Sequence, residues 1–344
     1  MFYKKLVRPI LFTLFKNDAE QTHAASIAAL RIAGTRLVRQ ILSSLTAVEN
    51  PRQVFGIRFP NPVGVAAGFD KHAEALAGVE ALGFGFAEVG TVTPLPQLGN
   101  PRPRLFRLAE DEAIINRMGF NNEGKEAIAE RLRTRPRISI PLGVNIGKGK
   151  DTTLEDAARD YQALVETFYP LADYLTINAS SPNTKDLRRL QEKKRLESLL
   201  RAVGETVRAC ARNTSPKPIL LKIAPDLSEP ELDDIFEVAE RSVQGLIIAN
   251  TTIARPETLR SKHRAETGGL SGKPLRERAR ALIAYAHRKL PSMPLIGAGG
   301  IACPDDALHM FDAGASLIQI YTGLIYEGPL LAYRINKILK GNHA

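Results

Sequence analysis

The spacing of apolar positions changes at about residue 51. Before it, Phe2, Leu6, Ile10 and Leu14 recur at helical intervals with Lys4, Lys5, Arg8 and Lys16 around them, so a short amphipathic helix is expected. Asp18, or a residue just after it, caps a second helix that runs through Leu45, with Ile27, Leu30, Ile41 and Leu45 as candidate apolar contacts. From residue 51 the rhythm is different. Val54–Phe59 followed by Pro-Asn-Pro suggests a hairpin. Strand-like runs then fall at 63–67, 86–92, 138–146, 174–178, 219–223, 245–250, 295–297 and 316–321. Helical patterns follow at 73–82, 123–133, 154–168, 196–211, 229–241, 274–290, 305–313 and 329–339. Eight strand–helix units in one series predict an α/β fold, a (β/α)8 TIM barrel over residues 51–344 with an N-terminal helical extension over 1–50. A doubly wound sheet would use fewer strands and a crossover switch.

A barrel places its site at the C-terminal ends of the strands. Informative residues stand there: 66–71 after the first strand, Gly90-Thr91 after the second, Asn145 in the third and Asn178-Ala-Ser-Ser-Pro-Asn-Thr184 after the fourth. Lys222 ends the fifth, Asn250-Thr251 the sixth, Gly297-Ala-Gly-Gly300 the seventh and Tyr321-Thr-Gly323 the eighth. Two insertions, 93–122 and 253–272, are too long for simple connections and read as lids or pocket walls.

Composition narrows the chemistry. The 344 residues contain two cysteines, Cys210 and Cys303, and six scattered histidines, with no disulfide framework, zinc pattern or other metal site. The formal charge of +10 admits nucleic acid, an anionic membrane or a phosphorylated ligand. Basic residues are spread along the chain without aromatic interleaving, which disfavours nucleic acid. Residues 1–50 hold seven basic and three acidic side chains. A basic, apolar-faced helix pair either lies on a membrane surface or packs on the main domain. Its apolar stretches are shorter than the ~18–20 residues of a bilayer span.

The loop 178–184 packs two amides, three hydroxyls and a proline into seven residues, suited to a flat polar ligand or to an ordinary turn. The glycines of 297–300 with 321–323 occupy the usual phosphate corner of a barrel. Lys222 admits three readings: a Schiff base, a positive charge against a cofactor ring, or a phosphate counter-ion. Two lysines, Lys71 and Lys222, with several Asn amides and no histidine or carboxylate pair fit redox chemistry on a borrowed cofactor.

The motifs 66–71, Gly90-Thr-Val-Thr-Pro94, Asn116-Arg-Met-Gly-Phe120, 178–184, Leu221-Lys-Ile-Ala-Pro225 and Gly268-Gly-Leu-Ser-Gly272, with Gly299-Gly300 and Tyr321-Thr322, resemble the dihydroorotate dehydrogenase family. They run in order from about residue 51 to the C-terminus. The resemblance implies oxidation of dihydroorotate to orotate on FMN, one per chain, in pyrimidine synthesis. Ser181 stands where cytosolic relatives carry a Cys base, which implies the quinone-linked class. That class also carries a basic helical extension, which implies peripheral membrane contact through residues 1–45, on the cytoplasmic face of a bacterial inner membrane. No iron–sulfur partner is implied.

Carried over by position, the resemblance gives FMN to Ala67, Gly68, Phe69, Asp70, Lys71, Thr91, Asn145, Asn178, Lys222, Ala249, Gly272, Gly300, Tyr321 and Thr322. Substrate falls to Lys71, Asn116, Arg117, Met118, Gly119, Phe120, Asn178, Asn183, Asn250 and Thr251. Ser181 is the implied base, with Thr184 as relay and Phe120 as water shield. Ala249 departs from the pattern, because some members have Thr there and contact the flavin through its side chain. Two rivals use the same features: a tRNA dihydrouridine synthase-like flavin barrel, and an aldolase barrel with a Schiff base on Lys222.

Overall fold

A computed structural model describes residues 3–14 and 18–341; Phe2 and Lys16 of the expected first helix lie outside them. The apolar runs form eight parallel strands: β1 (Val63–Val65), β2 (Phe86–Val92), β3 (Leu142–Ile146), β4 (Tyr174–Asn178), β5 (Ile219–Ile223), β6 (Gly245–Ile248), β7 (Leu295–Ala298) and β8 (Leu317–Ile320). They close into one barrel in chain order, β8 pairing with β1. Nearly every strand residue is buried, since helices cover the outside and side chains fill the inside.

The barrel floor is apolar. The hairpin of Arg52–Val54 and Ile57–Phe59 plugs it, placing Val54 and Phe59 in one cluster with Phe86, Tyr174, Leu220, Ile247, Ile296 and Leu317. Phe59 meets Phe86 edge-on, with ring centroids 5.2 Å apart. Burial of such aromatics stabilises by about 1.5–3 kcal/mol each. The floor therefore seals one end and leaves the other for chemistry.

At the open end, both long insertions contribute to one antiparallel sheet of Leu105–Leu108, Ala113–Asn116 and Gly269–Gly272. Its register pairs Asn116 with Gly269, so the two insertions form a single wall beside the mouth.

The extension departs from expectation. A turn of π-helix (Tyr3–Val7) leads into α1 (Arg8–Leu14), and α2 (Ala19–Ala33) and α3 (Arg36–Thr46) replace the single helix expected from Asp18 to Leu45. Asp18 does cap α2, accepting the Glu20 and Gln21 amides at 2.8 and 3.0 Å. The chain breaks at Gly34-Thr35, where α2 passes over the helix Leu76–Ala81. A Cβ on Gly34 would lie 2.9 Å from the Gly78 nitrogen. Ile27 and Leu30 are buried as expected, but the break turns Ile41 and Leu45 outward, 54% and 67% exposed. Among the described residues no helix is long and apolar enough to cross a membrane.

Candidate active site

The main cavity opens at the C-terminal ends of the strands and, with its mouth, encloses about 1140 Å³. Of the residues expected at a site, it brings together Ala67, Gly68, Lys71, Thr91, Asn116, Met118, Gly119, Phe120, Asn178, Ser181, Asn183, Lys222, Ala249, Asn250, Thr251, Gly272, Gly300, Tyr321 and Thr322. Strand register explains part of this convergence. Asn178 on β4 pairs with Lys222 on β5, and Gly90 on β2 with Asn145 on β3, so the polar residues share one layer above the apolar floor.

Hydrogen bonds order that layer. Asn178 Nδ2 donates to Thr91 Oγ1 at 2.9 Å and to Asn145 Oδ1 at 3.1 Å. Asn250 Nδ2 donates to Ser180 Oγ at 2.9 Å, and Ser180 Oγ donates to Asn178 Oδ1 at 3.2 Å. Ser181 Oγ accepts the Asn183 amide at 3.3 Å, and Ser181 lines the cavity. Lys222 makes no hydrogen bond among the described residues; burial pushes its ammonium pKa down, and the nearby Glu88 carboxylate opposes that. Burial likewise brings Lys71 down to about 8, with Glu20 opposing.

The corner after β7 and β8 is built from backbone. Gly299 and Gly300 have φ of 117° and 75°, which L side chains rarely adopt, and a Cβ on Gly300 would strike Arg276. Arg276 donates to the Gly300 carbonyl at 3.1 Å and to Asp306 at 2.9 Å, and Asp306 accepts the Ala302 and Cys303 amides. Thr322 Oγ1 and Ser271 Oγ lie 2.8 Å apart beside this corner. Such glycine-lined corners with free N–H groups suit a phosphate.

Five expected residues sit elsewhere. Phe69 is buried between the His23 and Tyr321 rings, at centroid distances of 5.5 and 5.7 Å. The Asp70 carboxylate turns back onto its own loop, accepting the Glu74 and Ala75 amides at 2.8 Å each, just ahead of the helix Leu76–Ala81. Arg117 alternates outward from Asn116, ion-paired to Glu266 at 2.7 Å and stacked over Phe106. Asn145 is fully buried and does not itself line the cavity. The Thr184 hydroxyl is buried without a hydrogen-bond partner, so no direct contact makes the expected relay to Ser181.

Sequence reading missed other residues. Glu88, fully buried inside β2, accepts from Asn145, Thr176, Gln319 and Tyr174. A lone acid in the apolar run Phe86–Val92 was the available signal. Gln319 lines the cavity with a buried, unpartnered Oε1. Arg188 joins the two ligand loops, donating to the Ser180 and Thr251 carbonyls at 3.0 Å each and to Asp226 at 2.7 Å.

Comparison with known proteins gives the family. A family model described as dihydroorotate dehydrogenase matches residues 51–342. The dihydroorotate dehydrogenase (quinone) of Chloroflexus aurantiacus is 49% identical, over 98% of this chain and 96% of its own. That of Salinispora arenicola is 50% identical, over 96% of this chain and 97% of its own. Among solved structures, the Eimeria tenella enzyme in complex with ferulenol superposes with a TM-score of 0.84 at 37% identity, covering 97% of this chain and 96% of that one. The chain belongs to the dihydroorotate dehydrogenase family.

Proposed function

We propose that this chain oxidises dihydroorotate to orotate in pyrimidine synthesis, with one FMN bound per chain and a membrane quinone as final acceptor. The observation that carries the reading is the convergence of Ser181, Lys222 and the amides of Asn116, Asn178, Asn183 and Asn250 on one cavity beside a glycine corner. The donor set fits a flavin mononucleotide. Gly299 and Gly300 offer backbone to a phosphate, while the unpaired Lys222 ammonium and the unpartnered Gln319 Oε1 offer a cation and an acceptor to a polar ring edge.

Bound FMN would supply the hydride acceptor for the substrate's C6 and the two-electron link to a quinone. The chain's own residues do the rest. Asn116, Asn183 and Asn250 hold the planar carbonyl and N–H edges of the substrate, and Lys71 faces its carboxylate. Ser181 takes the C5 proton, and Phe120 keeps bulk water away from it. Lys222 sets a fixed positive charge where negative charge develops.

The extension is the membrane-associating part, residues 1–50, and 51–344 is the catalytic barrel. Leu6, Ile10, Ile32, Leu37, Ile41 and Leu45 are 50–69% exposed, which supports contact of residues 1–45 with the cytoplasmic face of a bacterial inner membrane. A quinone reaches the cavity between the helices and the strand Leu105–Leu108. Arg107 there donates to Thr22 Oγ1 at 3.1 Å and to the Phe12 carbonyl at 3.3 Å. Anaerobic mixing tests the reading: dihydroorotate bleaches the flavin of the purified protein, and added quinone restores the colour. Flavin that dihydroorotate leaves oxidised contradicts it.

A further inference from the structure

Glu88 is a carboxyl group wholly enclosed in the barrel, and none of the residue roles proposed for the reaction uses it. It is 0% exposed. Burying a carboxylate costs several kcal/mol unless donors replace its water. Four do. Asn145 Nδ2 donates to Oε1 at 2.8 Å, and Gln319 Nε2, Thr176 Oγ1 and the Tyr174 hydroxyl reach Oε2 at 2.9, 3.1 and 3.4 Å.

The carboxylate has consequences above it. All four of these contacts are donations to Glu88, so Asn145 turns its Nδ2 down and its Oδ1 up. That oxygen takes the Thr91 hydroxyl at 2.5 Å and Asn178 Nδ2 at 3.1 Å. Thr91 Oγ1 is left to accept from Asn178 Nδ2 at 2.9 Å, which turns Asn178 Oδ1 toward Ser180 and Asn250. Every donor in the series points toward Glu88, from Asn250 beside the ligand loop to the barrel interior. The two ends of an Asn amide have nearly the same shape, so packing does not choose between its orientations. A pure acceptor does.

We propose that Glu88 is the positioning residue of the flavin cradle: its carboxylate fixes the direction of the Asn145–Thr91–Asn178 hydrogen bonds, and so which groups face the cofactor. The inference rests on the FMN reading above.

A charge-exchange pair tests it. In Glu88→Gln the carbonyl oxygen stays with the three donors at Oε2, and the new amide group faces Asn145. Asn145 then flips and presents N–H to Thr91 and Asn178. Adding Asn145→Asp restores an acceptor on both faces and the original direction. FMN retention is measured on the holoenzymes, from flavin fluorescence released on dilution, together with the visible flavin spectrum and thermal unfolding. Glu88→Gln is expected to weaken FMN binding by about tenfold or more and shift the spectrum. The double variant returns to within about threefold of wild type, the scale of a net neutral exchange of partners. Wild-type FMN affinity and spectrum in Glu88→Gln, or a double variant no better than the single, overturns the proposal. If Glu88→Gln does not fold, the double variant decides: a soluble, flavin-loaded protein supports the proposal and a misfolded one contradicts it. A wild-type protein without flavin overturns the FMN reading instead.

Discussion

Asn183 Nδ2 donates to Asn116 Oδ1 across 3.1 Å, joining the loop after β4 to the antiparallel wall. Each amide holds the other in place, and Asn116 Nδ2 reaches on to the Gly269 carbonyl at 3.4 Å. The pair lies at the cavity edge, away from the glycine corner. Asn116→Ala therefore raises KM for dihydroorotate by about 10–100-fold, the loss expected when a half-buried polar partner and the substrate are both left without their hydrogen bonds. Its flavin content stays at the wild-type level. Steady-state kinetics with absorbance ratios check this, and an unchanged KM contradicts the substrate role.

Lys71 titrates in the accessible range. Burial lowers its pKa from the usual lysine value to about 8, so it is charged below that pH and neutral above it. A cation that faces the substrate carboxylate is lost as pH rises. The profile of kcat/KM, which reports the free enzyme, falls above about pH 8. Lys71→Met lowers kcat/KM and removes that alkaline limb. A limb that persists in the variant belongs to another group.

Lys222 supplies fixed charge without a hydrogen-bonded partner. Its removal leaves the reduced flavin less stabilised, so Lys222→Met lowers the flavin midpoint potential by roughly 30–60 mV, about 1.4–2.8 kcal/mol for two electrons. Equilibrium dye titration reads this directly. A potential equal to wild type, or higher, contradicts the assigned role.

The outward faces of α1 to α3 carry exposed apolar side chains. Leu37, Ile41 and Leu45 recur at four-residue steps on α3 and are 54–69% exposed. Replacing all three with Ser removes about 1.5–3 kcal/mol of membrane burial per side chain, so vesicle sedimentation falls by about tenfold or more. Reduction of a soluble dye stays at wild-type rate while long-chain quinone turnover falls. Equal loss of both activities would instead mean that the extension supports the barrel itself.

The sequence made the barrel legible because buried parallel strands are short apolar runs and the helices between them keep their own period. The cavity followed from the rule that places sites at strand ends, and residues such as Ser181, Asn178 and Lys222 stand there. What was hidden depends on three dimensions. The break at Gly34 comes from a helix crossing at Gly78, which α2's own periodicity does not record. Arg117 and Asp70 belong to motifs whose neighbours line the cavity, yet strand alternation turns one outward and a helix N-terminus takes the other. Glu88 lies within a strand rather than at its end, and its role appears only when Asn145, Thr176 and Gln319 arrive from three other strands.

Ser181 is the proposed acceptor of the substrate proton at this site. Its most direct test is the anaerobic rate of flavin bleaching by dihydroorotate in Ser181→Ala, measured by stopped flow with FMN content verified. With Ser181 as the base, the variant is a flavin-loaded protein whose reduction is slower by about 10²–10⁴-fold, the usual contribution of a positioned base. Reduction at the wild-type rate would contradict it.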